Sequence, residues 1–463
     1  MGVEAEGQEW PPARLIPTVG IRGQEEQEKR ATSSLLAVMR AVPEFGHALL
    51  KDVGAPKGRI STYAEVRLKD ADGKVSIPDG AIVVERGKTR WSCLVEVKTG
   101  SASLESEQVT RYLDRAREHG FDAVVTISNQ LTRGVDHSPV SVDGRKLKRV
   151  SLWHFSWWRV ITEAVVQHRY RGVSDPDQAW ILGELIAYLD HDASGASGFE
   201  DMGPSWVKVR DGARQGTLRA SDKEVRAVAE NWVQFSQYLA LGLSQDLGRE
   251  VETVRPRKQT HDQRVELLVK ELADAGVLTT SLKVPDTVAP MTITADLRAR
   301  QVHTAALGVA QTRQVLDLVR RTDVTLAAPG EGRPSSRINW LLRQMKDVPD
   351  DLRIEVRFAG VRETTSELLR DAREYPQRLL SASDPKREPR AFTVTLTRPL
   401  GQKRGKGRGS FVHDTRVQAF DFYREVVQTL RAWQPKAPKL READEEVEVP
   451  RVEEGAITPT PVS

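Results

Sequence analysis

The sequence predicts an α+β protein with more than one domain. Its parts are an N-terminal αβββαβ core of the mixed α/β kind, a helical middle region, a separate C-terminal α+β domain and a disordered acidic tail. Three observations predict this. The chain has 463 residues, too many for one ordinary core and enough for about two to four domains. Hydrophobic residues make up 39% and charged residues 29%, a balance that suits globular chains folding in water. Across residues 24–128, apolar positions switch between a helical and a strand period.

Residues 1–22 are polar, carry Pro11, Pro12 and Pro17, and read as a flexible arm. Residues 23–150 form the first domain. Ala31, Leu35, Val38, Met39 and Val42 recur at three- and four-residue steps, so a helix is expected over 24–42, broken by Pro43. A first strand is expected over 61–69, with Tyr63, Glu65, Arg67 and Lys69 on one face and Ala64, Val66 and Leu68 on the other. Asp72-Gly73 marks a turn. A second strand covers 77–85, is closed by Arg86-Gly87-Lys88, and leads into a third over 91–98. A helix follows over 103–118, with Leu104, Val109, Tyr112, Leu113 and Ala116 on its apolar side and Gly120 as its C-cap. Residues 121–128, F-D-A-V-V-T-I-S, read as a buried strand.

Residues 151–255 read as a helical extension. The tryptophans of W-H-F-S-W-W, Trp153 to Trp158, fit core packing; base stacking would need them exposed. Residues 256–435 read as the second α+β domain. Strands are expected at 291–297, 304–310, 352–358 and 392–397, and helices at His261–Ala275, 336–345 and 416–433. Residues 436–463 form the acidic tail. Between Arg441 and Glu454 it carries seven acids and two arginines, a net of −5 that leaves +9 on the rest of a chain whose total is +4. Such a tail, without aromatics, is expected to be disordered. A basic body suits a polyanionic partner.

Several classes are disfavoured. No run approaches the ~18 apolar residues that span a bilayer, and the first residues lack a basic, then apolar, secretory signal, so a cytoplasmic protein without a membrane partner is expected. The single cysteine, Cys93, excludes an internal disulfide. No H-E-x-x-H pair occurs among the nine histidines. The run Gly405-Lys406-Gly407-Arg408-Gly409 lacks the G-K-[ST] ending of a phosphate-binding loop.

The chemistry concentrates between Ile77 and Tyr112. Asp79 opens one strand, and Glu96-Val97-Lys98 ends the next. Glu96 and Lys98 lie two apart and so share a face, with the Val97 side chain on the other. Phosphodiester hydrolysis needs charge neutralisation, an activated water and a stabilised leaving oxygen, which a divalent metal supplies. Mg²⁺ takes oxygen ligands and keeps several waters. Asp79 and Glu96 are therefore the candidate ligands, with the Val97 carbonyl. Lys98 is the candidate for positioning or deprotonating water.

These residues resemble the PD-(D/E)XK phosphodiesterase superfamily, the restriction-endonuclease-like fold. The match is Pro78-Asp79, a 17-residue step from Asp79, then Glu96-Val97-Lys98, within an α-β-β-β-α-β order. Pro-Asp recurs at Pro176, Pro285 and Pro349, and D-x-K recurs at Asp72 and Asp384. Only the Asp79–Lys98 pair stands on successive strands with a helix before and after. Gln108 and Tyr112 match the Q-x-x-x-Y element of the RecB-like and phage-exonuclease-like branch, and at i, i+4 they share a helix face. The resemblance implies a Mg²⁺- or Mn²⁺-dependent nuclease acting on DNA, with Gln108 and Tyr112 near the substrate backbone. It also implies a carboxylate from the first helix; Glu28 is the choice, with Glu25 and Glu26 as alternatives. The cationic loop 402–410, with Lys403, Arg404, Lys406 and Arg408, fits a phosphate contact and a solvated loop equally. The chain also resembles bacterial proteins labelled only as stress-response proteins, which adds no mechanism; a setting in DNA repair, stress response or phage defence, with cleavage gated by the C-terminal half, is a further expectation. A nucleic-acid-binding scaffold with little catalysis is the alternative, and residues 256–435 could equally serve a protein partner.

Overall fold

The computed structural model describes residues 13–432 except 71, 133, 197, 257–258, 299–300, 303–313, 316–318, 331, 361, 363, 382–386, 402–404 and 406. It also describes two short strands, Glu4–Ala5 and Gln8–Glu9. The class is α+β, with several helices around two main sheets. Among the described residues, no helix is long and apolar enough to cross a membrane. The expected strand at 304–310, the acidic tail, and Lys403, Arg404 and Lys406 lie outside the described residues.

The N-terminal part begins with α1 (Gln24–Ala41) and α2 (Pro43–Leu50). Five strands form one sheet: β1 (Arg59–Ala64), β2 (Gly80–Arg86), β3 (Thr89–Val97), β4 (Ala123–Ser128) and β5 (Ser151–Ser156), in that spatial order. The first three run antiparallel and the last two join in parallel. Parallel pairing needs a crossover, and α3 (Ser106–Glu118) supplies it between β3 and β4. Gly120, at φ 72°, lets the chain leave that helix, and the Phe121 N–H bonds back to the Ala116 carbonyl.

Both sheet faces are covered, which is why β4 is buried at every position. Leu35, Met39 and Phe45 of α1 and α2 pack on Val84, Val95 and Val97. On the opposite face, Val109, Leu113 and Ala116 of α3 pack on Leu94 and Val124. Truncating any one of these fully buried Leu or Phe side chains to Ala would cost about 2–5 kcal/mol. Residues 13–22, expected as a loose arm, dock on this unit. The Leu15 N–H donates to Glu184, and Ile16 and Ile21 pack against its core.

Three local differences from the sequence expectation have physical causes. Pro43 does not simply end a helix; it occupies the first turn of α2, where its missing N–H costs nothing. The strand expected over 61–69 is two strands. Glu65 adopts φ 49° and breaks it, and Leu68–Lys69 then pairs with Val75–Ser76 in a small hairpin. The W-H-F-S-W-W run is not wholly helical: its first four residues lie in β5, and Ser156 caps α4 (Trp157–Val166) by accepting from the Arg159 N–H.

Residues 151–255, read as one extension, divide between two cores. β5, α4 and α5 (Pro176–Leu189) complete the N-terminal core. α6 (Trp206–Gln215) and α7 (Lys223–Leu247) belong to the C-terminal core. Trp157 is fully buried, and Trp158 packs on Tyr238 with ring centroids 4.9 Å apart. The C-terminal part holds a seven-stranded antiparallel sheet that includes Met291–Asp296, Arg353–Phe358 and Pro389–Pro399. Its helices include His261–Ala275, opened by a Thr260–Gln263 capping box, Pro334–Gln344 and Phe411–Phe422.

Candidate active site

Four charged side chains from three stretches of the chain meet at one end of the N-terminal sheet. Asp79 precedes β2, Glu96 lies near the end of β3, Lys98 follows β3, and Glu28 comes from α1. Gly80 makes the approach of α1 and β1 possible. A Cβ there would stand 2.5 Å from Leu36 Cδ1 and 2.8 Å from the Tyr63 carbonyl oxygen. The Glu65 N–H donates to the Asp79 carbonyl at 2.9 Å, so the bend after β1 also fixes this residue.

The Asp79 Oδ2 accepts from the Val97 N–H at 2.7 Å. Its carboxyl lies close enough to that of Glu96 for each charge to act on the other. Lys98 Nζ stands 2.9 Å from Glu96 Oε1 and 3.6 Å from Glu28 Oε2. Gln108 Nε2 donates to the same Glu96 oxygen at 2.6 Å and lies 3.5 Å from the Tyr112 hydroxyl. The Tyr112 hydroxyl donates to the Ile77 carbonyl at 3.2 Å. Glu96 and Lys98 share the α3 side of the strand, while Val97 packs its side chain into the α1-side core. Val97 meets Asp79 through its N–H.

Burial sets the electrostatics. The Glu96 side chain is only 2% exposed. That burial, with the Asp79 charge beside it, pushes its carboxyl up to about 7 despite Lys98. Burial also raises Asp79, against the lowering effect of the Val97 N–H and Lys98. The Lys98 ammonium is lowered by burial, but Glu96, Glu28 and Asp79 outweigh this and hold it above its ordinary value. Burial, then Glu96, raises the Tyr112 phenol, which keeps it a neutral donor. Three acids, Asp79, Glu96 and Glu28, beside the single Lys98 ammonium make an acid-rich cluster.

The structure therefore brings together Asp79, Glu96, Lys98, Glu28, Gln108 and Tyr112. Among the three first-helix acids, Glu28 faces Lys98, whereas Glu25 pairs with Lys29 and Glu26 with Arg30. Arg408 is not part of the cluster. It is exposed in the turn before the helix Phe411–Phe422, on the C-terminal unit. Two supporting residues escaped the sequence reading. The Trp157 indole N–H donates to the Lys98 carbonyl at 2.9 Å, so this core tryptophan also anchors the end of β3. Arg115 lies seven residues after Gln108 on the same face of α3 and ties Asp70 and Ser76 to it. The i, i+4, i+7 spacing was the available signal. No protein-family model matches this chain, and no curated protein matches it.

Proposed function

We propose that the protein is a metal-dependent nuclease that hydrolyses phosphodiester bonds in DNA. The observation that carries this reading is the clustering of Asp79, Glu96, Lys98 and Glu28, brought from three stretches of the chain to one end of the sheet. Raised carboxyl pKa values in a charged cluster mark a candidate site. Hard carboxylate oxygens suit Mg²⁺ or Mn²⁺. Asp79 and Glu96, with the Val97 carbonyl, would hold the ion, which when bound offsets phosphate charge and makes water more acidic.

The chain's own residues supply the rest. Lys98 keeps an ammonium beside the acids, where it orients water and offsets negative charge growing on the phosphate. Glu28 holds that ammonium from the α1 side. Gln108 orients the Glu96 carboxyl. Tyr112 fixes the segment leading into Asp79 through the Ile77 carbonyl. Cytoplasmic location, expected from the bulk properties of the sequence, and a role in repair, stress response or phage defence, suggested by the resemblance, belong to the same proposal.

The test uses the purified full-length protein with Mg²⁺ or Mn²⁺ and single-stranded, linear and supercoiled DNA, beside Asp79→Ala and Lys98→Ala variants. Cleavage that both variants lose supports the nuclease. Equal cleavage by all three places the chemistry elsewhere. Salt-sensitive binding without cleavage would favour the scaffold.

A further inference from the structure

We propose that the hairpin formed by Leu68–Lys69 and Val75–Ser76 is a wedge that unstacks DNA ends beside the acid cluster, so that the substrate enters the site as an unpaired strand. This rests on the nuclease reading and names its substrate class. The hairpin's two faces differ sharply. Leu68 and Ser76 pair across it and point inward, and both are buried. Lys69 and Val75 pair next to them and point outward. Residues two apart share a face, so Arg67 and Ile77 join Lys69 and Val75 on the outer side. Val75 is 45% exposed and Ile77 43%. Arg67, Lys69 and neighbouring Lys74 are also exposed, and none of the three has an ion pair among the described residues.

This outer face is held rigidly at the site. One stripe of α3 ties it down. The Tyr112 hydroxyl donates to the Ile77 carbonyl at 3.2 Å, and Arg115 bonds Asp70 at 2.5 Å and Ser76 at 3.4 Å. His119, just past α3, lies 2.9 Å from the Lys69 carbonyl. The same stripe begins with Gln108 on Glu96. Ile77 is two residues from Asp79, at most about 7 Å along the chain. Two apolar side chains displayed among three free cations fit a nucleic-acid end. The cations suit phosphates, and aliphatic side chains inserted at a base step unstack it. A protein partner would not require the patch to sit next to the acids.

The experiment uses full-length protein and a blunt duplex carrying 2-aminopurine in its terminal pair, in Ca²⁺ to suppress cleavage. Wild type should raise the fluorescence about fivefold as the base unstacks. The double variant Val75→Ser, Ile77→Ser should lose most of that rise yet bind a single strand within about twofold of wild type. The second variant, Lys69→Gln, should weaken binding to both and flatten the salt dependence by about one unit of slope. In Mg²⁺ a single Val75→Ser variant, which leaves the Tyr112-bonded segment alone, should cut single strands at the wild-type rate and blunt duplex about threefold more slowly. No fluorescence rise with bound wild type, an equal rise with the double variant, or no DNA binding overturns the wedge. Unstacking by wild type that the double variant loses, without cleavage of any DNA, upholds the wedge and overturns the hydrolytic reading.

Discussion

Replacing Glu96 by Gln should make the protein more stable and inactive at once. Glu96 is held up at about 7 against an ordinary 4.5, by burial first and by Asp79 second. Because its folded value is raised, its contribution to stability is fully present below about pH 4.5 and is lost as pH rises through about 7. That interval is worth about 3 kcal/mol at most. Gln does not ionise, and its oxygen can accept from Lys98 and Gln108 as Glu96 Oε1 does. In EDTA, urea unfolding followed by tryptophan fluorescence should therefore find Glu96→Gln more stable than wild type by about 1–3 kcal/mol at pH 8.5. The two should converge near pH 5. Mg²⁺ should narrow the gap by stabilising wild type alone. A Glu96→Gln variant less stable than wild type at pH 8.5 would refute the reasoning. It would mean that Glu96 serves a structural ion pair with Lys98.

Three further outcomes follow from the same structure. His154 is fully buried, which pushes its imidazole down to about 4, so stability should fall by about 3 kcal/mol as pH drops from 6.5 to 4. Urea unfolding of His154→Gln should lack that component, and equal acid slopes would refute it. Gly80→Ala should cost about 1–3 kcal/mol, because its Cβ meets Leu36 and the Tyr63 carbonyl, and should reduce cleavage by shifting Asp79; unchanged stability and rate would contradict this. Trp157→Phe should leave the Lys98 carbonyl without its indole donor and cost about 1–3 kcal/mol, measurable by the same unfolding assay, with no loss as the contrary result.

The parts legible in the sequence were those with strong periodicity. α1, the β2–β3 hairpin, α3 and β4 were readable because their apolar residues repeat at 3.6 or 2. Asp79, Glu96, Lys98, Gln108 and Tyr112 became readable once those elements put them in order. β5 was not, because a buried parallel strand running straight into a helix reads as one apolar stretch. The break at Glu65 was not, because a positive φ at a non-glycine residue leaves no compositional mark. Strands such as Val277–Lys283, V-L-T-T-S-L-K, were missed because hydroxyl residues dilute their alternation. Arg115 was missed because a buried arginine is recognisable only through its partners, Asp70 and Ser76, which lie far away in sequence.

The most direct measurement is the initial rate at which Glu96→Gln cleaves end-labelled DNA in Mg²⁺, taken at pH 8 beside wild type and an EDTA control. The account predicts cleavage by wild type, none in EDTA, and none by the variant, although the variant is the more stable protein. Cleavage by Glu96→Gln at the wild-type rate would contradict it.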